Sequence, residues 1–165
     1  MRYLEQHKGW SFIPTYMTRQ ARDDEAEKIS ITGEHFDLMD LQGEFFCQTA
    51  LFGNRYGTPK NHILKAANKG GEFWMLDFAL SNKHLFKDTQ HKAVVILPES
   101  WEQLARQLSE TGRSHRLAAV AEDYFRNYHE PEGLRNAASL IVVNRRDSVA
   151  GTAEFIDTYF RGAGR

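Results

Sequence analysis

Phe52-Gly53-Asn54-Arg55-Tyr56-Gly57-Thr58-Pro59-Lys60 decides how the chain is read. Residues 44–52 before it have the length and apolar content of a strand. Two glycines then let the backbone turn. Thr58 and Pro59 follow as cap and first residue of a helix, where proline's missing N–H costs nothing because that position has no intrahelical acceptor. A tyrosine and a threonine are thus presented between strand and helix. Upstream lies Met17-Thr18-Arg19-Gln20-Ala21-Arg22. Two arginines at this spacing can converge on one phosphate, their planar forks suit its oxygens, and Tyr56 adds a hydroxyl donor. Taken alone, Arg19 and Arg22 read by default as part of an ordinary solvated charged loop over 19–28.

Outward from this stretch, residues 1–8 are helix-like and Trp10 to Ile13 is an apolar strand. Ile29 to Ile31 is a short strand. Thr32 caps a helix carrying Phe36, Met39 and Leu41 at roughly helical spacing. The helix opened by Pro59 ends at Gly70-Gly71. Phe73 to Phe78, Val94 to Leu97 and Leu140 to Val143 are continuous apolar runs, as expected of strands buried on both faces. A short helix is expected over 81–87. Ser100 and Gln103 form a capping box for a helix to Glu110. Residues 111–116 are a basic loop, and a helix over 117–128 is broken by Pro131 and Gly133. A last helix over 148–160 turns Val149, Phe155, Ile156 and Tyr159 to the core. Strands alternating with helices predict an α/β fold with a parallel sheet flanked by helices. The stretch 28–57, richer in short strands, reads as a small β insertion.

The 165 residues fit one domain, with 1–160 folded and 161–165 a frayed tail. Hydrophobic residues at 41% and charged residues at 26% suffice for a core. A net charge of −1 gives no global pull toward nucleic acid or an anionic membrane. Trp10, Trp74 and Trp101 show no stacking pattern for nucleic acid. The lone Cys47 rules out an intrachain disulfide and a cysteine-rich zinc site, and the seven histidines lack metal-binding spacing, so no metal site is expected. No apolar run approaches the roughly 18 residues of a membrane span, and MRYLEQHKGW is too polar for a signal peptide. A soluble, cytoplasmic protein is expected, with neither nucleic acid nor membrane as partner.

In this order, the motifs resemble the guanylate kinase superfamily over roughly residues 1–160. Arg19 and Arg22 match its T-T-R-x-P-R element, and Tyr56 and Thr58 its G-N-Y-Y-G-[ST] turn. Met75-Leu76-Asp77 matches L-D-[IV]-D, Val95 to Pro98 the next core strand, and Val142-Val143-Asn144 the V-V-N strand near adenine. The resemblance implies a P-loop-kinase-like sheet with a β-rich substrate insertion over about 15–58 and a lid-like region over about 111–130. It assigns the acceptor phosphate to Arg19, Arg22 and Tyr56, further substrate contacts to Thr15, Thr18, Thr58 and Asp77, and ATP lid or adenine contacts to Arg113, Arg116 and Asn144. No catalytic residue is assigned. The carboxylates that read guanine in the family are replaced by Cys47 and Ala79. The compact spacing of residues 15–36 more closely resembles ribose 1,5-bisphosphate phosphokinases.

No G-x-x-x-x-G-K-[ST] occurs in the sequence. Gly53-x-x-x-Gly57-Thr58-Pro59-Lys60 has the wrong spacing, and Pro59 removes an amide that a phosphate cradle needs. The family's order places Met1 inside the first helix, so the first strand and Walker A loop are expected to be absent from this chain. The missing strand would lie mid-sheet, leaving edges to be filled by upstream sequence, by a partner chain or second copy, or by closure into a reduced sheet. Two functions follow. One is a degenerate, pseudokinase-like module binding a small phosphorylated ligand or phosphorylated protein. The other is a kinase using ATP and Mg²⁺, these being cofactors only if a P-loop is supplied from elsewhere.

Overall fold

The structure is a computed structural model that describes residues 1–23, 25–89, 91–129, 131–145 and 148–162. It divides into two compact units, one of Glu5–Gln90 and one of Met1–Leu4 with His91–Arg165.

The chain enters through α1 (Arg2–Lys8). The first unit then contains β1 (Ser11–Phe12), β2 (Thr15–Met17), β3 (Lys28–Ser30), α2 (Gly33–Leu41), β4 (Phe45–Leu51), β5 (Asn54–Pro59), α3 (Lys60–Asn68) and β6 (Trp74–Met75), followed by a 3₁₀ helix over Leu80–Phe86. Four strands form one sheet in the order β3-β2-β5-β4. β2 runs parallel to β3 and antiparallel to β5, and β4 runs antiparallel to β5. This is the β insertion expected from the sequence, enlarged by β2. Thr32 caps α2 as expected, its hydroxyl accepting from the His35 amide at 3.2 Å. Phe36 and Met39 are buried, whereas Leu41 is 86% exposed and takes no part in the core.

The stretch that opened the reading folds differently from its expected strand–turn–helix. The turn is made at Phe52 and Gly53, with φ of 52° and 76°. Two consecutive positive φ values are what a two-residue hairpin loop needs to match the twist of its strands. Residues 54–59 are then a strand, paired with β4 from Leu51↔Asn54 to Phe45↔Pro59. Gly57 is not a turn residue: a Cβ there would lie 2.5 Å from a ring carbon of Phe45, so glycine lets that ring lie on the strand. Thr58 caps no helix, because α3 has Pro59 at its N-cap with no side-chain bond. Its hydroxyl lies 3.2 Å from that of Thr15, both residues being buried.

β1 pairs in parallel with β6. The apolar run 73–78 yields only two paired strand residues, Trp74 and Met75, because β1 offers two partners before Pro14, which has no N–H to give.

In the second unit β7 (Val94–Pro98) pairs in parallel with β8 (Leu140–Asn144), beside α4 (Trp101–Glu110), α5 (Leu117–His129), α6 (Pro131–Ala137) and α7 (Val149–Gly162). Ser100 caps α4 by accepting from the Gln103 amide at 3.2 Å, and Gln103 Oε1 accepts from the Glu99 amide at 3.0 Å. α5 ends at His129 as expected, and Pro131 then starts α6, since proline is tolerated in a first turn, while Gly133 lies inside α6 and breaks nothing. β7 and β8 are not buried on both faces, with Ile96 and Val143 close to half exposed. Each has one hydrogen-bonded neighbour among the described residues. The core face of α7 matches the expected one only at Ile156. Ala153, Ile156, Asp157 and Phe160 are buried, while Val149, Phe155 and Tyr159 are exposed. The buried set keeps i, i+3, i+4, i+7 spacing, and Asp157 is admitted to it because Arg161 Nε donates to its carboxylate at 2.8 Å. Arg161 and Gly162, expected in the tail, belong to α7; residues 163–165 lie outside the described residues.

Candidate functional site: an arginine fork beside a tyrosine

β2 and β5 are locked together where the candidate site begins. The Thr18 amide donates to the Arg55 carbonyl, and the Arg55 amide donates to the Thr18 hydroxyl, each at 3.0 Å. Thr18 is thus committed to the backbone, and it fixes Arg19 beside Tyr56. Arg19 Nε donates to Tyr56 Oη at 3.0 Å. Its two terminal nitrogens donate to the two oxygens of Glu25, at 2.7 and 2.6 Å. Nη1 also donates to the Gln20 carbonyl at 2.9 Å. Arg22 approaches the same carboxylate twice, its amide at 3.1 Å and its guanidinium at 3.4 Å. The loop is pinned further on by the Ala21 amide, which donates to Ser30 Oγ at 2.8 Å.

The structure therefore gathers Arg19, Arg22 and Tyr56 as one group, with Glu25 at its centre. The side chains of Arg19 and Glu25 are 17% and 15% exposed, and that of Arg22 is 40% exposed. The Arg19 fork, aided by the Arg22 amide, holds the Glu25 carboxyl down at about 2. The same bond raises the Arg19 pKa above its ordinary value. A depressed carboxyl stabilises the fold above its unfolded pKa of about 4.3, and that contribution is lost as pH falls toward its folded value. Wild type is therefore expected to lose its stability advantage over Glu25→Gln as pH drops from about 4 to about 2. Paired denaturation curves across that range check this; an advantage unchanged at low pH would show that the carboxylate charge is not what Arg19 holds.

Thr15 and Thr58 join the sheet interior, hydroxyl to hydroxyl. Cys47 pairs with Thr58 across the hairpin and packs with Ile13, Ile63, Ala66 and Phe86, and burial pushes its thiol pKa up. Asp77 is largely exposed and meets Lys28 Nζ at 3.6 Å. Arg113, Arg116 and Asn144 belong to the second unit. Arg113 precedes a 3₁₀ turn over Ser114–Arg116, Arg116 Nε donates to His115 Nε2 at 3.4 Å, and Asn144 ends β8 opposite Pro98. Among the described residues no group of three or more His, Cys, Asp or Glu is placed to hold a metal ion. None of the described helices is long and apolar enough to cross a membrane.

Sequence reasoning missed Glu25 and Lys28. The acid three residues beyond Arg22 was a usable signal for the first, because such a residue can fold back onto a loop arginine. For Lys28 no sequence signal stood out.

No family model matches the chain. Curated relatives do. A guanylate kinase of Streptomyces kasugaensis is 31% identical over 110 residues, 64% of this chain and 52% of its own length. Guanylate kinases of Pseudomonas syringae pv. tomato and Granulibacter bethesdensis are 26% and 25% identical, over 89% and 88% of this chain and 69% and 77% of theirs. The chain thus spans about half the length of the Streptomyces relative. Among solved structures, the crystal structure of guanylate kinase from Anaplasma phagocytophilum matches with a TM-score of 0.69 at 21% identity, covering 98% of this chain and 78% of that one. That likeness establishes the fold, a mixed α/β chain with parallel strand pairs flanked by helices, like that of the guanylate kinase. By sequence and fold together, the chain is similar to guanylate kinases over most of its length.

Proposed function

We propose that this guanylate-kinase-like domain binds a phosphomonoester through Arg19, Arg22 and Tyr56. One observation carries the reading: the Arg19 fork already grips an oxyanion with both terminal nitrogens, beside a tyrosine hydroxyl and a second, more exposed arginine. A phosphate monoester offers the same oxygens plus a further charge for Arg22. The ligand class includes nucleotides, sugar phosphates and phosphorylated partners. The names of the relatives put GMP first among probes. Cys47 and Ala79 provide no carboxylate for guanine N–H groups, and an unpaired buried donor costs about 1–3 kcal/mol. GMP is therefore expected to bind no more tightly than ribose 5-phosphate. Calorimetric titration with methyl phosphate, ribose 5-phosphate and GMP tests the reading. Saturable binding to all three, lost in Arg19→Ala, supports it; no saturable binding to any of them, by wild type or by Glu25→Gln, overturns it.

A second reading, ATP-dependent phosphoryl transfer to GMP or ribose 1,5-bisphosphate, is favoured by the activity that the curated relatives are named for. It needs a phosphate cradle from outside these 165 residues. The described residues do not fit a Mg²⁺ site, since Asp77 faces Lys28 and no acidic cluster supports it. Intact mass of the protein from its source cells, together with ATP turnover on both acceptors, tests this reading. A mass near 19.0 kDa with no turnover would leave the binding function alone.

A further inference from the structure

We infer that Glu25 is an internal competitor that occupies the anion site, so that a phosphorylated ligand binds by displacing it. The inference rests on the phosphomonoester reading of the same site. Arg19 has a fork of two terminal nitrogens, and both point at Glu25, at 2.7 and 2.6 Å. A guanidinium also carries a side-on fork of Nε with a terminal nitrogen, and here that fork is closed. The third nitrogen, Nε, is turned to Tyr56 Oη. A ligand oxyanion and the Glu25 carboxylate therefore need the same two donors. The Arg22 amide, a further donor that an anion in this loop would use, is also taken by Glu25.

The geometry also shows how exchange would proceed. The Arg22 guanidinium touches Glu25 only at 3.4 Å, and its side chain is the most exposed of the group. It is the cation open to an approaching phosphate. The loop that carries Glu25 is held to β3 by the Ala21–Ser30 bond rather than by Glu25 alone, so the carboxylate can leave while the base of the loop stays in place. Arg19 itself stays anchored through Thr18 and Arg55, whose paired bonds do not involve Glu25. The two arginines are thus kept at the mouth of β2 in a charged, hydrogen-bonded state without ligand. The cost is paid in affinity, because each binding event must first break a bidentate ion pair.

The direction of effect separates this role from a merely structural one. If Glu25 only braced the loop, removing its charge would weaken binding. If it competes, removing its charge strengthens binding. Methyl phosphate is titrated into wild type, Glu25→Gln and Glu25→Asp at pH 8, with thermal unfolding confirming that each is folded. Glu25→Gln is expected to bind roughly tenfold more tightly, the scale of a partly exposed bidentate pair. Glu25→Asp, too short to reach both nitrogens from the same backbone position, is expected to fall between. Binding by Glu25→Gln where wild type shows none would support competition in its strongest form. Equal or weaker binding in both variants, with wild type binding, overturns the inference and leaves the phosphomonoester reading standing. Absence of binding in wild type and both variants overturns the two together.

Discussion

Phe36→Ala is expected to destabilise the first unit by about 3–5 kcal/mol, the range for truncating a buried phenylalanine. Phe36 is 1% exposed and stacks on Phe45 with ring centroids 4.5 Å apart. Met39 completes the buried cluster, and Tyr16 and Ile31 pack at its rim. The outer face of the ring is covered by the Arg55 guanidinium, 4.6 Å from the centroid. Arg55 is held there by Asp37 and by the Gly33 carbonyl, both on the same helix as Phe36. Truncation would open a cavity and strip a cation–π contact, and Phe45 cannot shift freely to fill the gap because its other face lies on Gly57. Urea unfolding monitored by circular dichroism measures the loss. A loss under about 1 kcal/mol would mean that α2 is not a fixed part of the sheet's cover.

Arg19→Ala is expected to weaken methyl phosphate binding by about 2–3 kcal/mol, or roughly 30- to 150-fold. The alanine removes every donor of the fork and leaves Tyr56 and Glu25 without the cation that organises them. Arg19→Lys retains the charge but offers no planar fork, so it should recover only part of the loss. Isothermal titration of the three proteins decides it. Equal binding by wild type and Arg19→Ala would move the phosphate site away from this loop altogether.

The two arginines and Tyr56 were legible because their side-chain chemistry and order carry the meaning, and the fold needed only to bring two segments together. Glu25 was not legible in the same way, because an acid in a charged loop has many partners open to it until the backbone closes. The apolar runs 94–97 and 140–143 did become strands, but their burial was misjudged. Periodicity reports which residues are apolar, not whether a neighbouring strand arrives to cover them. The same ambiguity chose the wrong face of α7, where an aspartate sits among the buried positions because Arg161, one turn on, neutralises it. The hairpin at 52–53 was hidden by glycine and proline content that usually ends a strand, and here Gly57 and Pro59 instead occupy paired positions in one.

The placement of the tryptophans has an optical consequence. Trp10, stacked on Phe73 at 4.8 Å, and Trp74, whose buried indole N–H has no hydrogen-bond partner among the described residues, both belong to the unit Glu5–Gln90. Trp101, tilted against Tyr124 and Phe125, belongs to the other. Lys69 Nζ lies 5.4 Å from the Trp74 ring centroid, so that indole also senses a nearby positive charge. With Trp10 and Trp74 replaced by phenylalanine, intrinsic emission reports on the second unit alone; with Trp101 replaced, it reports on the first. The two variants then supply a separate fluorescence signal for each unit, read along matched denaturation curves.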